Sequence, residues 1–319
     1  MADGLQSGQV SSAARREQVV RATQVAGEAE VRESANGVRF ATFGETGVPG
    51  PDLDRMLEAV PSAIAAGLGT NTYYFVPLAL REPAEGAEGE AEPAVKKAAP
   101  EQAMVARAWS EDLGEAAICH RNVELGSGNR GVFISTRLMG DRFALSFEFF
   151  INVAHAFTDA TGVPERFAAL AWQQALDGAR GETSLDAWES RNLAFGLDPR
   201  AQAEAPGATV SRRSSGFAAK VRPFSGGSTG QVASIALAAS STPAVTDEKE
   251  RAAFLEAAFS DAVAIYLLSL ALDLDYSELR EREYPLLAPA ALAARLRLVA
   301  ELYPANPGYE FSVRYRRRA

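Results

Sequence analysis

The 319-residue chain is poor in the side chains that build disulfides and metal sites. It has one cysteine, Cys119, and two histidines, His120 and His155. A single cysteine cannot form an internal disulfide, which excludes the scaffold of small disulfide-rich secreted proteins and fits a reducing compartment. Three His and Cys side chains, two of them adjacent, also exclude a closed structural zinc site. The sequence therefore predicts no bound metal and no cofactor.

Basic charge and long apolar runs are also scarce. The chain has 41 acidic and 32 basic residues, a formal net charge of −9, and only four of the basic residues are lysine. Such a protein repels nucleic acid and anionic membranes as a whole. The apolar stretch 262–272 has eleven uncharged residues. A helix that crosses a bilayer needs about 20 residues. Because residues 1–34 also lack the apolar segment of a signal peptide, we expect a cytoplasmic protein without a membrane span.

The rest of the composition is that of a globular protein, with 47% hydrophobic and 23% charged residues. Residues 1–34 carry scattered valines among polar residues, which predicts a flexible N-terminal tail. Residues 82–102 consist mainly of Ala, Glu, Pro and Gly, which predicts a disordered insertion. We therefore expect a single α+β domain over 35–319, in which helices pack on one face of an antiparallel sheet.

Alternating side chains predict a β-hairpin over 132–149. Gly140 and Asp141 suit a two-residue type II′ turn. With that turn, Ile134 would lie opposite Phe147, and nearly all the large apolar side chains would share one face. We expect this hairpin to contribute its apolar face to the core.

Other patterns predict further helices and strands. Apolar residues at helical spacing predict helices near 53–68, 150–162, 164–178, 183–196, 246–272 and 289–302. Runs of β-branched and aromatic residues predict strands near 38–43, 72–80, 103–109, 209–224, 231–239 and 309–315.

His155 is the best single candidate for chemistry. On a helix that follows the hairpin, Asn152, His155 and Asp159 share one strip, and an aspartate one turn away can fix the tautomer of a histidine. Glu148 could supply a second carboxylate for a metal. No HExxH or HxH spacing supports a metal site, and the same residues also fit an ordinary solvated helix. The candidate site residues are therefore His155, Asp159 and Glu148.

Two other patterns are better explained by structure than by chemistry. Adjacent strand residues point to opposite faces, so His120 cannot act as the base for Cys119, and we expect a buried structural cysteine. The glycine-rich stretches 126–131 and 226–230 lack the lysine of a phosphate-binding loop and precede predicted strands, so turn formation explains them.

The end of the sequence is its most basic part. Residues 309–315 alternate, which predicts a strand with one buried face. Its other side would carry the arginines of a candidate partner contact: Arg314, Arg316, Arg317 and Arg318. These arginines suit an acidic surface of another protein or an RNA backbone, and they equally suit a charged strand edge that discourages aggregation.

Taken as a whole, the sequence favours a cytoplasmic protein-interaction or assembly subunit without catalytic activity of its own. The expected partner is a protein, a second copy of the chain included. One alternative is an acid–base or metal-assisted hydrolase centred on His155. The other is an RNA- or DNA-binding protein that uses local arginine surfaces, which the net charge of −9 disfavours.

Overall fold

A computed structural model describes residues 19–81, 103–139, 141–197, 247–272 and 284–312. Within these ranges, nine helices and two β-sheets form a mixed α+β fold, so the predicted fold class is confirmed. The insertion predicted at 82–102 and the strands predicted at 209–224 and 231–239 lie outside the described residues.

All nine described strands lie before residue 136, and the longest described helices follow them. The strands are β1 (Val19–Arg21), β2 (Arg32–Glu33), β3 (Arg39–Thr42), β4 (Asn71–Val76), β5 (Leu78–Leu80), β6 (Met104–Ala106), β7 (Ala117–Ile118), β8 (His120–Gly126) and β9 (Asn129–Ser135). The helices are α1 (Ala22–Glu28), α2 (Gly50–Glu58), α3 (Ser62–Gly67), α4 (Glu111–Gly114), α5 (Arg142–Thr161), α6 (Glu165–Leu176), α7 (Leu185–Ala194), α8 (Glu248–Ala271) and α9 (Pro289–Leu302).

The strands form one antiparallel and one mixed sheet. The antiparallel sheet has the order β1-β6-β5-β7, and the mixed sheet has the order β2-β3-β4-β9-β8. Strands β3, β4 and β9 run parallel at the centre of the mixed sheet, and antiparallel β2 and β8 form its edges. Pro77 separates β4 from β5, because proline cannot donate a ladder hydrogen bond. The chain therefore passes at Pro77 from the mixed sheet to the antiparallel one.

The main core lies between one face of the mixed sheet and the helices. The ring of Phe149 on α5 lies 5.1 Å from that of Tyr73 and 5.7 Å from that of Phe75, both on β4. A second core on the opposite face contains Tyr74 and Phe133, whose rings stack at 4.6 Å. Because the mixed sheet is covered on both faces, its central strands are apolar on both sides.

The predicted hairpin over 132–149 is wrong in its second half. The residues that follow Asp141 form the 20-residue helix α5, not a strand. The carboxylate of Asp141 accepts a hydrogen bond from the backbone N of Ala144 at 2.8 Å, which starts the helix as an N-cap. Ile134 lies on β9 opposite His120 of β8, so it is not paired with Phe147. The hairpin that does form joins β8 to β9 through the glycine-rich turn at 126–128.

Helix α8 is the centre of the helical layer and packs against α5, α6, α7 and α9. Its 24 residues are long and apolar enough to cross a membrane, but 78% of its most apolar window is buried inside the protein. A helix that is apolar all round and covered by its neighbours has the character of a core helix. The sequence estimate of eleven apolar residues covered only its second half.

Residues 19–34, which the sequence placed in a flexible tail, form regular structure. Strand β1 pairs with β6, and α1 buries Ala22 and Val25 completely in the second core. Two small apolar side chains suffice here because the ladder with β6 adds backbone hydrogen bonds. Residues 1–18 lie outside the described residues.

The predicted C-terminal strand does not form over its described part, 309–312. These residues pack through single side chains instead. The ring of Phe311 lies 5.4 Å from that of Tyr266 on α8, and the hydroxyl of Tyr309 donates to the carbonyl of Arg55 at 3.1 Å. The alternating pattern therefore identified side chains that pack, but none of the described strands pairs with this segment. The candidate contact arginines, Arg314, Arg316, Arg317 and Arg318, lie outside the described residues.

Candidate functional site

A histidine and a carboxylate join the edge of the mixed sheet to α5. Nδ1 of His120, at the start of edge strand β8, lies 2.5 Å from Oε1 of Glu148. The Glu148 side chain is only 10% exposed, whereas that of His120 is 37% exposed. The buried carboxylate therefore holds one nitrogen of a ring that is still accessible to solvent.

Asn152 fixes the orientation of Glu148. Its amide Nδ2 donates to Oε1 of Glu148 at 3.1 Å and to the backbone carbonyl of the same residue at 2.8 Å. Both side chains are buried one helical turn apart on α5. His120, Glu148 and Asn152, which we call the His120 cluster, thus form a continuous hydrogen-bonded chain from a sheet edge into a helix.

The residues predicted around His155 lie on one helix, but the carboxylate of Glu148 pairs with the other histidine. Desolvation lowers the pKa of His155 and the charge of His120 acts in the same direction, whereas Asp159 and Asp186 act in the opposite direction. Asp159 is exposed and lies 3.9 Å from Nη1 of Arg130 on β9. Glu148 bonds to His120 and not to His155. The sequence therefore identified the carboxylate of the cluster but placed it with the other histidine.

Cys119 precedes His120 at the junction of β7 and β8 and is half-buried. Desolvation and the charge of Glu148 raise the pKa of its thiol to about 11. Because only the thiolate is a strong nucleophile, Cys119 is unreactive near neutral pH. The sequence predicts a buried structural cysteine, whereas Cys119 is half-buried.

A buried ionic cluster lies between α6, α7 and α9. Glu182 is fully buried and accepts from Nη1 of Arg295 at 2.8 Å and from Nη1 of Arg191 at 3.0 Å. Nε of Arg295 donates to Gln174 at 2.8 Å, and Arg191 also donates to the carbonyl of Gly181 at 3.0 Å. With its charges paired and hydrogen-bonded in this way, the cluster has the chemistry of a structural joint.

Asp261 on α8 is a second buried carboxylate close to this joint. Its Oδ2 accepts from the hydroxyl of Thr183 at 2.8 Å. Desolvation raises the pKa of Asp261 to about 6, although hydrogen bonds from Ser184 and Thr183 act in the opposite direction. The charge of Asp261 therefore changes at a pH that solution experiments reach easily.

The carboxyl ends of the parallel strands, where open α/β sheets commonly bind ligands, are occupied by the protein itself. The hydroxyl of Thr136 donates to the carbonyls of Thr46 and Val76 at 2.8 and 3.0 Å. The hydroxyl of Ser135 accepts from the backbone N of Ala79 at 2.7 Å. Packing of the antiparallel sheet against this edge thus uses polar groups that a ligand would otherwise contact.

The described surface includes the following two clefts. One, of about 570 Å³, lies between α6 and α9 and is lined by Arg166, Ala169, Leu170, Ala294, Arg297, Leu298 and Glu301. The other, of about 360 Å³, is lined by Arg55, Leu270, Ala271, Gly308, Tyr309 and Glu310. Neither cleft is lined by a residue of the His120 cluster.

Among the described residues, no group of three or more His, Cys, Asp or Glu side chains is arranged to hold a metal ion. Scans against protein-family models, curated proteins and solved structures find no match to this chain.

Proposed function

We propose that the protein is a cytoplasmic interaction or assembly subunit that associates with further copies of itself. The supporting observation is Trp109, whose surface is 50% exposed. Tryptophan is the residue most enriched at the energetic centres of protein interfaces. Because half of the surface of Trp109 is exposed, its indole ring can anchor a partner surface.

Trp109 stands on a turn whose backbone is well fixed. Ala106 before it and Leu113 after it are buried. The hydroxyl of Ser110 accepts from the backbone N of Leu113 at 3.4 Å and caps the short helix α4. A side chain presented from a rigid turn loses little conformational freedom on binding, which favours association.

The exposed half of Trp109 is large enough to matter. A tryptophan side chain can bury 150–250 Å², so about 100 Å² stays available here. At about 25 cal/mol per Å², covering this area contributes roughly 2 to 3 kcal/mol. A contribution of this size changes a dissociation constant by about 30- to 160-fold.

The test is the molar mass of the protein across concentration. Light scattering or analytical ultracentrifugation from about 1 µM to about 1 mM covers association free energies of about −8 to −4 kcal/mol. We expect the wild-type mass to rise with concentration and Trp109→Ala to weaken association by the factor above. Leu193→Ala is the matched control, because Leu193 is 39% exposed on another element, α7. A wild-type protein that stays monomeric throughout this range, or equal weakening by both variants, would contradict the proposal.

The arginines Arg314, Arg316, Arg317 and Arg318 stay a proposed second contact. On a chain of net charge −9, a basic segment would steer an acidic surface of another copy toward itself. Arg314→Glu combined with Arg316→Glu should then lower the assembled fraction, most strongly at low salt, because screening weakens such attraction. Salt-independent assembly of this variant at the wild-type level would remove these residues from the contact.

A further inference from the structure

We propose that His120 is the general base of a site that hydrolyses carboxylic esters, with Glu148 and Asn152 as positioning residues. The proposal stands independently of self-association. It moves the acid–base chemistry that the sequence centred on His155 to the other histidine of the chain.

The hydrogen bond between the ring and Glu148 selects the tautomer of His120. Nδ1 faces Oε1 of Glu148 at 2.5 Å. The same oxygen accepts from the amide of Asn152 at 3.1 Å, and the oxygens of a carboxylate are acceptors. In the neutral ring, the proton must therefore lie on Nδ1, which leaves the lone pair on Nε2. Nε2, the ring nitrogen that does not face Glu148, is thus the one that can take a proton.

Glu148 is held firmly enough to orient the ring. It is buried in the middle of α5 and receives the amide of Asn152 at 3.1 Å on the same oxygen that faces His120. A buried carboxylate that holds Nδ1–H fixes the ring and stabilises the imidazolium formed during proton transfer. The His120 cluster thus has the base and the orienting group of a hydrolase, without an enzyme nucleophile.

Water supplies the missing nucleophile. Nε2 of His120 takes a proton from water as the water oxygen bonds to the carbonyl carbon of the ester. The bond from that carbon to the alcohol oxygen then breaks, and the alkoxide takes the proton back from Nε2. One ester and one water give one acid and one alcohol, and His120 ends the cycle neutral.

The position of His120 indicates a large substrate or a weakly bound small one. The ring is 37% exposed at an edge strand, so an ester can approach from solvent. Neither described cleft borders it. We therefore expect small esters to show a high KM, with the effect of the base visible in kcat/KM.

The chain contains only two histidines, which makes a direct test simple. Nitrogen-15 NMR of the wild-type imidazoles distinguishes the Nδ1–H from the Nε2–H tautomer without any substitution. We expect Nδ1–H for His120 and a loss of that preference in Glu148→Gln, whose amide can donate as well as accept. A predominantly Nε2–H ring at His120 in the wild-type protein would overturn the proposal.

The second measurement is hydrolysis of p-nitrophenyl acetate. A general base typically contributes about 100-fold or more, so His120→Ala should lower kcat/KM by at least about this factor. His155→Ala, which removes the other histidine, is the matched control and should lower kcat/KM far less than His120→Ala, because His155 acts on His120 only through the charge of its ring. Asn152→Ala should lower the rate less than His120→Ala and broaden the tautomer distribution. Wild-type hydrolysis no faster than that of His120→Ala, with the fold retained by circular dichroism, would refute the site.

Discussion

Asp261 makes folding stability depend on pH in a direction opposite to that of most carboxylates. Burial raises its pKa in the folded protein from the ordinary 3.8 to about 6. The folded state therefore binds this proton more tightly than the unfolded state does. The resulting stabilisation is complete below pH 3.8 and is lost as the pH rises through about 6. At 1.36 kcal/mol per pKa unit, the loss amounts to about 3 kcal/mol.

Asp261→Asn separates this effect from all other titrations, because asparagine keeps the shape and does not ionise. Urea unfolding of both proteins at several pH values between about 3.5 and 8 gives the difference in their free energies of unfolding. We expect the free energy of unfolding of the wild type minus that of Asp261→Asn to fall by about 3 kcal/mol as the pH rises. Glu256→Gln removes a charge from an exposed position on the same helix and serves as the control. A pH-independent difference, or one that grows with pH, would refute the assignment.

Three further outcomes follow from the packing. Arg295→Met should lower the free energy of unfolding, measured with urea, by about 3–5 kcal/mol, because it removes one cation from the buried carboxylate of Glu182. Arg297→Met, at a neighbouring exposed position, should change this free energy little. Phe149→Ala should lower the free energy of unfolding by about 3–5 kcal/mol. Phe147→Ala should lower it clearly less, because Phe149 is fully buried and Phe147 only half-buried. Equal losses of stability would contradict the helix register. Alkylation of Cys119 by iodoacetamide should be slow at pH 7 and accelerate toward pH 11, as followed by mass spectrometry, and a fast reaction at pH 7 would contradict the raised pKa of its thiol.

The error in predicting a strand over 142–149 came from a segment whose residues satisfy two periods. In 142–149, apolar side chains alternate as in a strand, yet Phe149, Phe150 and Val153 also continue a helical pattern beyond the segment. The aspartate before the segment was interpreted as part of a turn, although it is equally a helix N-cap. Helices with a single period, such as α6 and α9, lie where they were predicted.

The His120 cluster shows what one sequence cannot supply. Asn152, His155 and Asp159 were correctly predicted along one helix, because helical spacing is local, whereas Glu148 was predicted at the end of a strand and lies on the same helix. The partner of Glu148 comes from β8, 28 positions earlier, and that pairing depends on which strand occupies the sheet edge. Glu182, Arg191 and Arg295 were missed for the same reason, since Glu182 and Arg295 are 113 positions apart. Buried charges carry no periodic signal.

The central position of α8 has a consequence for synthesis of the chain. Helix α8 covers apolar side chains of α5 and α7, but the ribosome makes it only after a further 54 positions, from Ala194 to Glu248. At about 5 to 20 residues per second, the earlier helices wait roughly 3 to 11 s for it. During this interval the apolar side chains of α5 and α7 that α8 later covers stay exposed, the kind of surface that chaperones bind. Slow translation of this interval would therefore lengthen exposure to aggregation without altering any contact of the finished protein.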